Sequence, residues 1–368
     1  MLRRKMMVDP PRSEFSPGRG VLNVGIAALA FLLACAGLNA SLPFPEIDFV
    51  SRNLRFFRQH RDDFDTVFIG SSRIRHQISP AIFDRTMRAA GFPTRTFNLG
   101  INGMVPPEDG YVLERLLSAK PLHLRWVFIE LDELETKRVP ATEGTRRSLY
   151  WHDPKRTSLV LREILDAGHQ ESGFALREIG ELALPGPGKS EARDLLFFHG
   201  ALFAKNFTNV GRKIDLSWWF SHLWKEEALS KDLGGNGDGY VPRSRKMSTA
   251  EVVVYETELK YAVTHAGSRF VSASTEVAYR QLAGEVRKAG ATPIFLVTPL
   301  TMQIELGFRP ESGIAGTVMR FNNARVYPQL YRNEARIDGS HLNGEAAEEF
   351  TRLVAENFSQ LRRENRIQ

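Results

Sequence analysis

Cysteine is almost missing: Cys35 is the single one among 368 residues. The chain can therefore form no internal disulfide and no thiolate metal site, so its body must stand on its own core. No His-x-x-x-His, Cys-x-x-Cys or Walker pattern occurs, which leaves metal and nucleotide use without support; no cofactor is expected. Gly234-Gly235-Asn236-Gly237-Asp238-Gly239 holds an Asn and an Asp but lacks the acidic spacing and closing glutamate of a calcium loop. It reads as a flexible turn. Internal repeats and low-complexity tracts are missing too. Excess charge is scarce: 49 basic against 43 acidic side chains leave +6. Five basic residues (Arg3, Arg4, Lys5, Arg12, Arg19) against Asp9 and Glu14 place +3 of that within residues 1–20. No basic groove interleaved with aromatics remains, and nucleic acid is excluded as a partner.

What is present begins with an apolar run. Val21 to Leu42 carries no charge, with only Asn23, Asn39 and Ser41 as polar interruptions, close to the roughly 20 residues that span a bilayer. Basic residues precede it, whereas Glu46 and Asp48 follow. The positive-inside rule then keeps residues 1–20 in the cytoplasm and exports the chain after about residue 43. Leu32-Leu33-Ala34-Cys35 loosely resembles a lipobox, with Cys35 as the residue to be lipidated. Leu33 is unusual for that motif and the run continues past Cys35, so an uncleaved single-pass anchor over 21–42 is preferred. No small-x-small site marks a conventional cleavage.

The exported part opens with a connecting segment, 43–64, in which Ile47, Val50, Leu54 and Phe57 share one helical face. Residues 65–368 then alternate strands and helices. Thr66–Ile69 is a strand, Ser79-Pro80 opens a helix that Gly91 closes, and Arg95–Leu99 is a second strand. Pro107 starts a helix to about Lys120, and Leu124–Leu131 is a third strand. The pattern resumes with a helix over Thr275–Lys288, a strand at Pro293–Thr298 and a last helix from about Gly344 to Arg363. Strands separated by helices predict a parallel sheet covered on both faces, an α/β protein of three layers, α/β/α. Between about 136 and 260 the rhythm is lost. That stretch, rich in Phe197, Phe198, Phe203, Phe207, Trp218, Trp219, Phe220 and Trp224, reads as a mainly helical insertion, with the Trp218-Trp219 and Trp224 cluster as core rather than a sugar platform.

Chemistry concentrates at three places. Ile69-Gly70-Ser71-Ser72-Arg73 puts small hydroxyls at the carboxyl end of the first strand, where open α/β sheets bind their ligands. Asp338-Gly339-Ser340-His341 supplies a carboxylate and an imidazole three residues apart. A serine hydroxyl needs a base, and the base needs a carboxylate to fix its tautomer. Asn98-Leu99-Gly100-Ile101-Asn102-Gly103, after the second strand, offers backbone and amide donors for an oxyanion. Ser71 competes with Ser72 as the hydroxyl. Arg73 reads as a solvated arginine, with the holding of an anionic substrate group as the alternative, and Asp338 could cap the last helix. His76 reads as a packing residue.

These segments resemble the SGNH (GDSL-like) hydrolase family, which implies a flavodoxin-like fold. Its Gly-Asp-Ser block is similar to Gly70-Ser71-Ser72, with Ser72 in the nucleophile position. Asn98, Gly100 and Gly103 match its second block, and Asp338, His341, Leu342 and Asn343 its last. The resemblance implies a triad of Ser72, Asp338 and His341 and an oxyanion hole from the N–H groups of Ser72 and Gly100, with Asn102 beside them. The third block fits poorly: Asp132 stands where the family has its oxyanion asparagine, and an ionised carboxylate donates nothing. Asn98 or Asn102 compensates, or Asp132 is protonated. Membrane-anchored members with Gly-Ser-Ser look closer still, among them those of teichoic acid D-alanylation and alginate acetylation. That subset implies a catalytic domain in the periplasm on an inner-membrane anchor, acyl (O-acetyl) transfer or ester hydrolysis on a cell-envelope polysaccharide, and a multi-pass acyltransferase partner. The rival from another class is a non-catalytic scaffold of an envelope polysaccharide complex.

Overall fold

The computed structural model describes residues 17–41, 44, 46–170, 189–208, 233–314 and 318–367. Trp218, Trp219, Phe220 and Trp224 lie outside the described residues. The elements run α1 (Pro17–Ser41), α2 (Asp48–Gln59), β1 (Thr66–Gly70), α3 (Ser72–Gln77), α4 (Pro80–Ala89), β2 (Thr96–Gly100), α5 (Glu108–Leu117) and β3 (Trp126–Glu130). There follow α6 (Arg147–Tyr150), α7 (Pro154–Gln170), α8 (Lys189–Thr208) and α9 (Thr249–Thr264). The last part holds β4 (Gly267–Phe270), α10 (Ala273–Lys288), β5 (Thr292–Val297), β6 (Ile304–Gly307), β7 (Val318–Arg320) and α11 (Gly344–Arg363).

Five strands form one parallel sheet in the order β2-β1-β3-β5-β7, the order of a flavodoxin-like doubly wound fold. Side chains alternate across it as strand geometry requires. Val67, Ile69, Phe97, Leu99, Val127, Ile129, Phe295 and Val297 pack one face with α2, α5 and α10. Phe68, Phe128, Ile294 and Leu296 pack the other with α3, α4 and α11. There Phe68 stacks on Phe128 at 4.2 Å, and Phe358 of α11 meets Phe128 edge-on at 5.1 Å. Truncating any of these rings to Ala would cost about 3–5 kcal/mol. The register aligns Gly70 with Gly100, and Ile69 with Ile129, so β2, β1 and β3 end level. That rim, where chain order reverses about β1, is where a site belongs.

The structure departs from the sequence reading in several places, one being the short fifth strand β7 at one edge of the main sheet. A second, two-stranded parallel sheet pairs β4 with β6; its short strands carry too few apolar residues to be seen. The helix closing the insertion runs on to Thr264. The glycine turn at 234–239 is docked rather than free: the Asn98 N–H donates to Asp238 O at 2.9 Å, extending pairing beyond edge strand β2. Gly239 has φ +89, and a Cβ there would fall 1.8 Å from Asn98 O. Only glycine fits.

The N-terminal helix is long and apolar enough to cross a membrane over Gly20–Ser41, with 6% of that stretch buried. It is unbroken through Cys35, which is itself buried, and Asn39 Nδ2 donates to Phe207 O of α8 at 2.9 Å.

Candidate active site

Two glycines let α3 settle onto the sheet rim. A Cβ on Gly70 would lie 2.4 Å from Ile74 Cγ1, and one on Gly100 would lie 2.2 Å from the backbone nitrogen of Arg75. With both spaces empty, the chain turns directly from β1 into α3. Ser71 becomes the N-cap, accepting from the Arg73 N–H at 3.2 Å. Its own N–H donates to Glu130 Oε2 at 2.6 Å. Ser71 is thereby engaged in structure, and Ser72 is the hydroxyl that projects.

Ser72 Oγ lies 2.8 Å from His341 Nε2, across 269 residues of sequence. His341 Nδ1 lies 2.9 and 3.0 Å from the two Asp338 carboxylate oxygens. A carboxylate only accepts, so Nδ1 carries the hydrogen and Nε2 is left as the acceptor for the Ser72 O–H. Burial works against the charged form of Asp338. Hydrogen bonds from the His341 ring and from the N–H groups of Ser340 and His341 outweigh it and hold the carboxyl down at about 2. Those two N–H groups reach Asp338 Oδ1 at 2.8 and 2.9 Å, so the carboxylate is fixed by its own loop. It does not cap α11; Asn343 does, accepting from the Ala346 N–H at 3.0 Å.

The loop is itself held from beneath. Arg336 is 1% exposed, and its guanidinium donates to Leu330 O at 2.9 Å, Pro299 O at 3.2 Å and Gly339 O at 3.4 Å. Gln77, the last residue of α3, donates from Nε2 to Ser340 O at 3.0 Å. One short helix thus carries Ser72 at its start and a strap onto the imidazole loop at its end. Gln77 and Arg336 escaped sequence reading, since nothing in their neighbourhood marks a residue whose partner is a distant carbonyl.

The oxyanion side is less complete than expected. The Gly100 N–H donates to Asn98 Oδ1 at 2.8 Å, so it is not offered to a ligand. Asn98 cannot compensate: its Nδ2 donates to Ile74 O at 2.8 Å and Ile78 O at 2.6 Å, closing the carbonyl end of α3. Both expectations are corrected for the same reason, a six-residue helix whose end needs an amide beneath it. Asn102 is exposed, with its carbonyl accepting from Arg147 Nη1 at 2.6 Å. The Ser72 N–H, in the first turn of α3, has no partner among the described residues.

Arg73 does not hold a substrate anion. Its Nε reaches Glu130 Oε1 at 2.6 Å and its Nη2 reaches Asp132 Oδ2 at 2.7 Å, with the side chain 14% exposed. Burial opposes the charge, but Glu130 and Asp132 raise the guanidinium above its ordinary value. Asp132 is thus an ion-pair partner of Arg73, and its other oxygen accepts from the Glu133 N–H at 2.9 Å, so both oxygens are engaged within the protein. Glu130, at the end of β3, also accepts from the Thr298 hydroxyl at 3.2 Å. It ties β3, β5 and the turn before Ser72 together.

His76 packs beside the triad, its ring 6.3 Å from that of His341. Its Nδ1–H donates to Val241 O at 2.6 Å. Burial first, then the nearby Arg243 and Arg75, push it down to about 4 despite that bond. It is neutral at pH 7. Among the described residues no group of three or more His, Cys, Asp or Glu could hold a metal ion.

The arrangement can do nucleophilic acyl chemistry: a hydroxyl, an acceptor imidazole of fixed tautomer and an ionised carboxylate in line, half-open to solvent at a sheet rim. No protein-family model matches the chain, and no curated protein matches it either.

Proposed function

We propose that the protein is an SGNH-type serine acyltransferase or esterase, tethered to the inner membrane by α1, with its catalytic body in the periplasm. The observation that carries the reading is the Ser72–His341–Asp338 chain, with every link at 2.8–3.0 Å. Ser72 Oγ attacks the carbonyl carbon of an ester as its proton passes to His341 Nε2. Asp338 stabilises the imidazolium. The Ser72 N–H faces the developing oxyanion from the start of α3. Collapse of the tetrahedral intermediate breaks the ester bond, and Nε2–H protonates the departing alkoxide, leaving an acyl-serine. A sugar hydroxyl or water, deprotonated by the same imidazole, then takes the acyl group. With a sugar hydroxyl the product is an acylated polysaccharide; with water it is a free acid.

A tether favours an envelope polysaccharide as acceptor, since a membrane-bound enzyme meets substrates fixed at the same surface; acetyl is the acyl group that the family resemblance implies. A multi-pass acyltransferase that brings acyl groups across the membrane is the matching partner. The scaffold reading keeps one observation on its side: the Gly100 N–H and the Asn98 amide are both spent internally. Full-length protein in detergent, given a chromogenic acetyl ester with and without a polysaccharide acceptor, separates the two. Turnover that disappears in Ser72→Ala and His341→Ala supports the enzyme. Turnover unchanged by both substitutions, or none with any acceptor, supports the scaffold.

A further inference from the structure

The chain that leaves the apolar helix is aromatic on one side and basic on the other. Phe44 follows Ser41 by three residues. At no more than about 3.6 Å per residue it lies within roughly 11 Å of the helix end, close to a headgroup layer roughly 5–8 Å thick. Arg52, Arg55 and Arg58 recur every third residue along α2, which sets them along one side of the helix. Between α2 and α5 runs an open groove whose lining includes Phe44, Leu54 and Tyr111 together with Arg55, Arg58 and Arg115. The rings of Phe44 and Tyr111 both stand against Tyr150, at 6.3 and 4.5 Å. Glu46 is the one carboxylate in that lining, and it pairs with Arg55. Arg115 donates to Tyr111 Oη at 3.0 Å and lies 5.0 Å from the ring centroid. Arg58 is exposed.

We propose that this groove holds an anionic phospholipid of the membrane that α1 crosses. The phosphate sits on Arg58 and Arg115, and an acyl chain follows Phe44, Leu54 and Tyr111. The proposal rests on reading α1 as a membrane span. Charge complementarity selects an anion, because three arginines face one carboxylate. Continuity with the anchor selects a lipid, because the groove begins where the chain emerges from the apolar helix. An aromatic floor suits an acyl chain and is wasted on a soluble polyanion, and Tyr is a residue enriched where membrane proteins meet headgroups.

Native mass spectrometry of the full chain from micelles containing equal phosphatidylglycerol and phosphatidylcholine tests it. Retention of phosphatidylglycerol over phosphatidylcholine is expected. Each arginine near an anionic surface contributes about fivefold, so Arg58→Gln/Arg115→Gln should weaken retention roughly thirtyfold. Arg58→Lys/Arg115→Lys should keep most of it. Equal retention by wild type and the Gln variant overturns the proposal, as does displacement of the lipid by inorganic phosphate or polygalacturonate at matched charge. Carbonate extraction separates the two readings: the Gln variant should stay in the membrane pellet. Release of the wild-type chain by carbonate would remove the span and this proposal with it, leaving ester turnover by Ser72 untouched.

Discussion

Asp338→Asn isolates the least conspicuous member of the proposed triad. The substitution preserves size and leaves one oxygen to accept from the Ser340 and His341 N–H groups. It removes the charge that faces His341 Nδ1 at 2.9 and 3.0 Å. An amide NH2 turned toward the ring favours the tautomer with its proton on Nε2, where it blocks uptake of the Ser72 proton. The structural cost can be bounded. Moving the carboxyl from 3.8 to about 2 corresponds to about 2 kcal/mol. The side chain is 40% exposed, so screening reduces this to about 1 kcal/mol. A depressed carboxyl stabilises the fold above its unfolded value. The contribution is therefore complete above about pH 4 and fades as pH falls toward 2. The kinetic cost is far larger, about 10³–10⁴-fold in kcat when the tautomer is wrong. Urea melts at pH 7 and pH 3 beside kcat/KM on a chromogenic acetyl ester should show this split, with the stability gap narrowing at the lower pH. Activity within tenfold of wild type would refute the role of Asp338. A stability loss of several kcal/mol would mean that the loop had collapsed, and the tautomer argument would fail.

Other substitutions probe the scaffold beneath the site. Gly100→Ala puts a methyl carbon 2.2 Å from the Arg75 backbone nitrogen, where nothing flexible can yield; a loss of about 3 kcal/mol is expected in denaturant melts. A cost below 0.5 kcal/mol would show that α3 can lift. Arg73→Met leaves Glu130 buried without its cation, so a loss of about 3–5 kcal/mol is expected, and Arg73→Met/Glu130→Gln should recover part of it. His76 sits at about 4 against an ordinary 6.5, so the unfolded chain binds its proton first. Stability should fall between pH 6.5 and 4, by at most about 3 kcal/mol from this group. His76→Asn should flatten that slope in melts across the range; an unchanged slope would assign it to His152 and His199, buried rings with nitrogens 3.0 Å apart that burial also pushes down.

The sheet was legible because its central strands are apolar runs bounded by helices of ordinary length. The convergence of Ser72, Asp338 and His341 was legible because they fall at a strand end and beside the last helix. The engagement of the Gly100 N–H was not. Whether the Gly100 N–H is free depends on where the Asn98 amide turns, and that is set by the exposed carbonyls of α3, a helix too short to announce itself. Arg73 looked solvated for a similar reason: Glu130 and Asp132 come to it only when β1 and β3 pair. Strands β4, β6 and β7, three or four residues each, leave no periodicity to read.

The central claim is that His341 makes the Ser72 hydroxyl a nucleophile. An alkyl fluorophosphonate reports this without knowledge of acyl group or acceptor. Intact-mass analysis of the full-length protein should show a single adduct, mapped by peptide sequencing to Ser72, absent in Ser72→Ala and slowed at least a hundredfold in His341→Ala. An adduct on Ser71, labelling indifferent to His341, or no adduct under conditions that label a control serine esterase would contradict it.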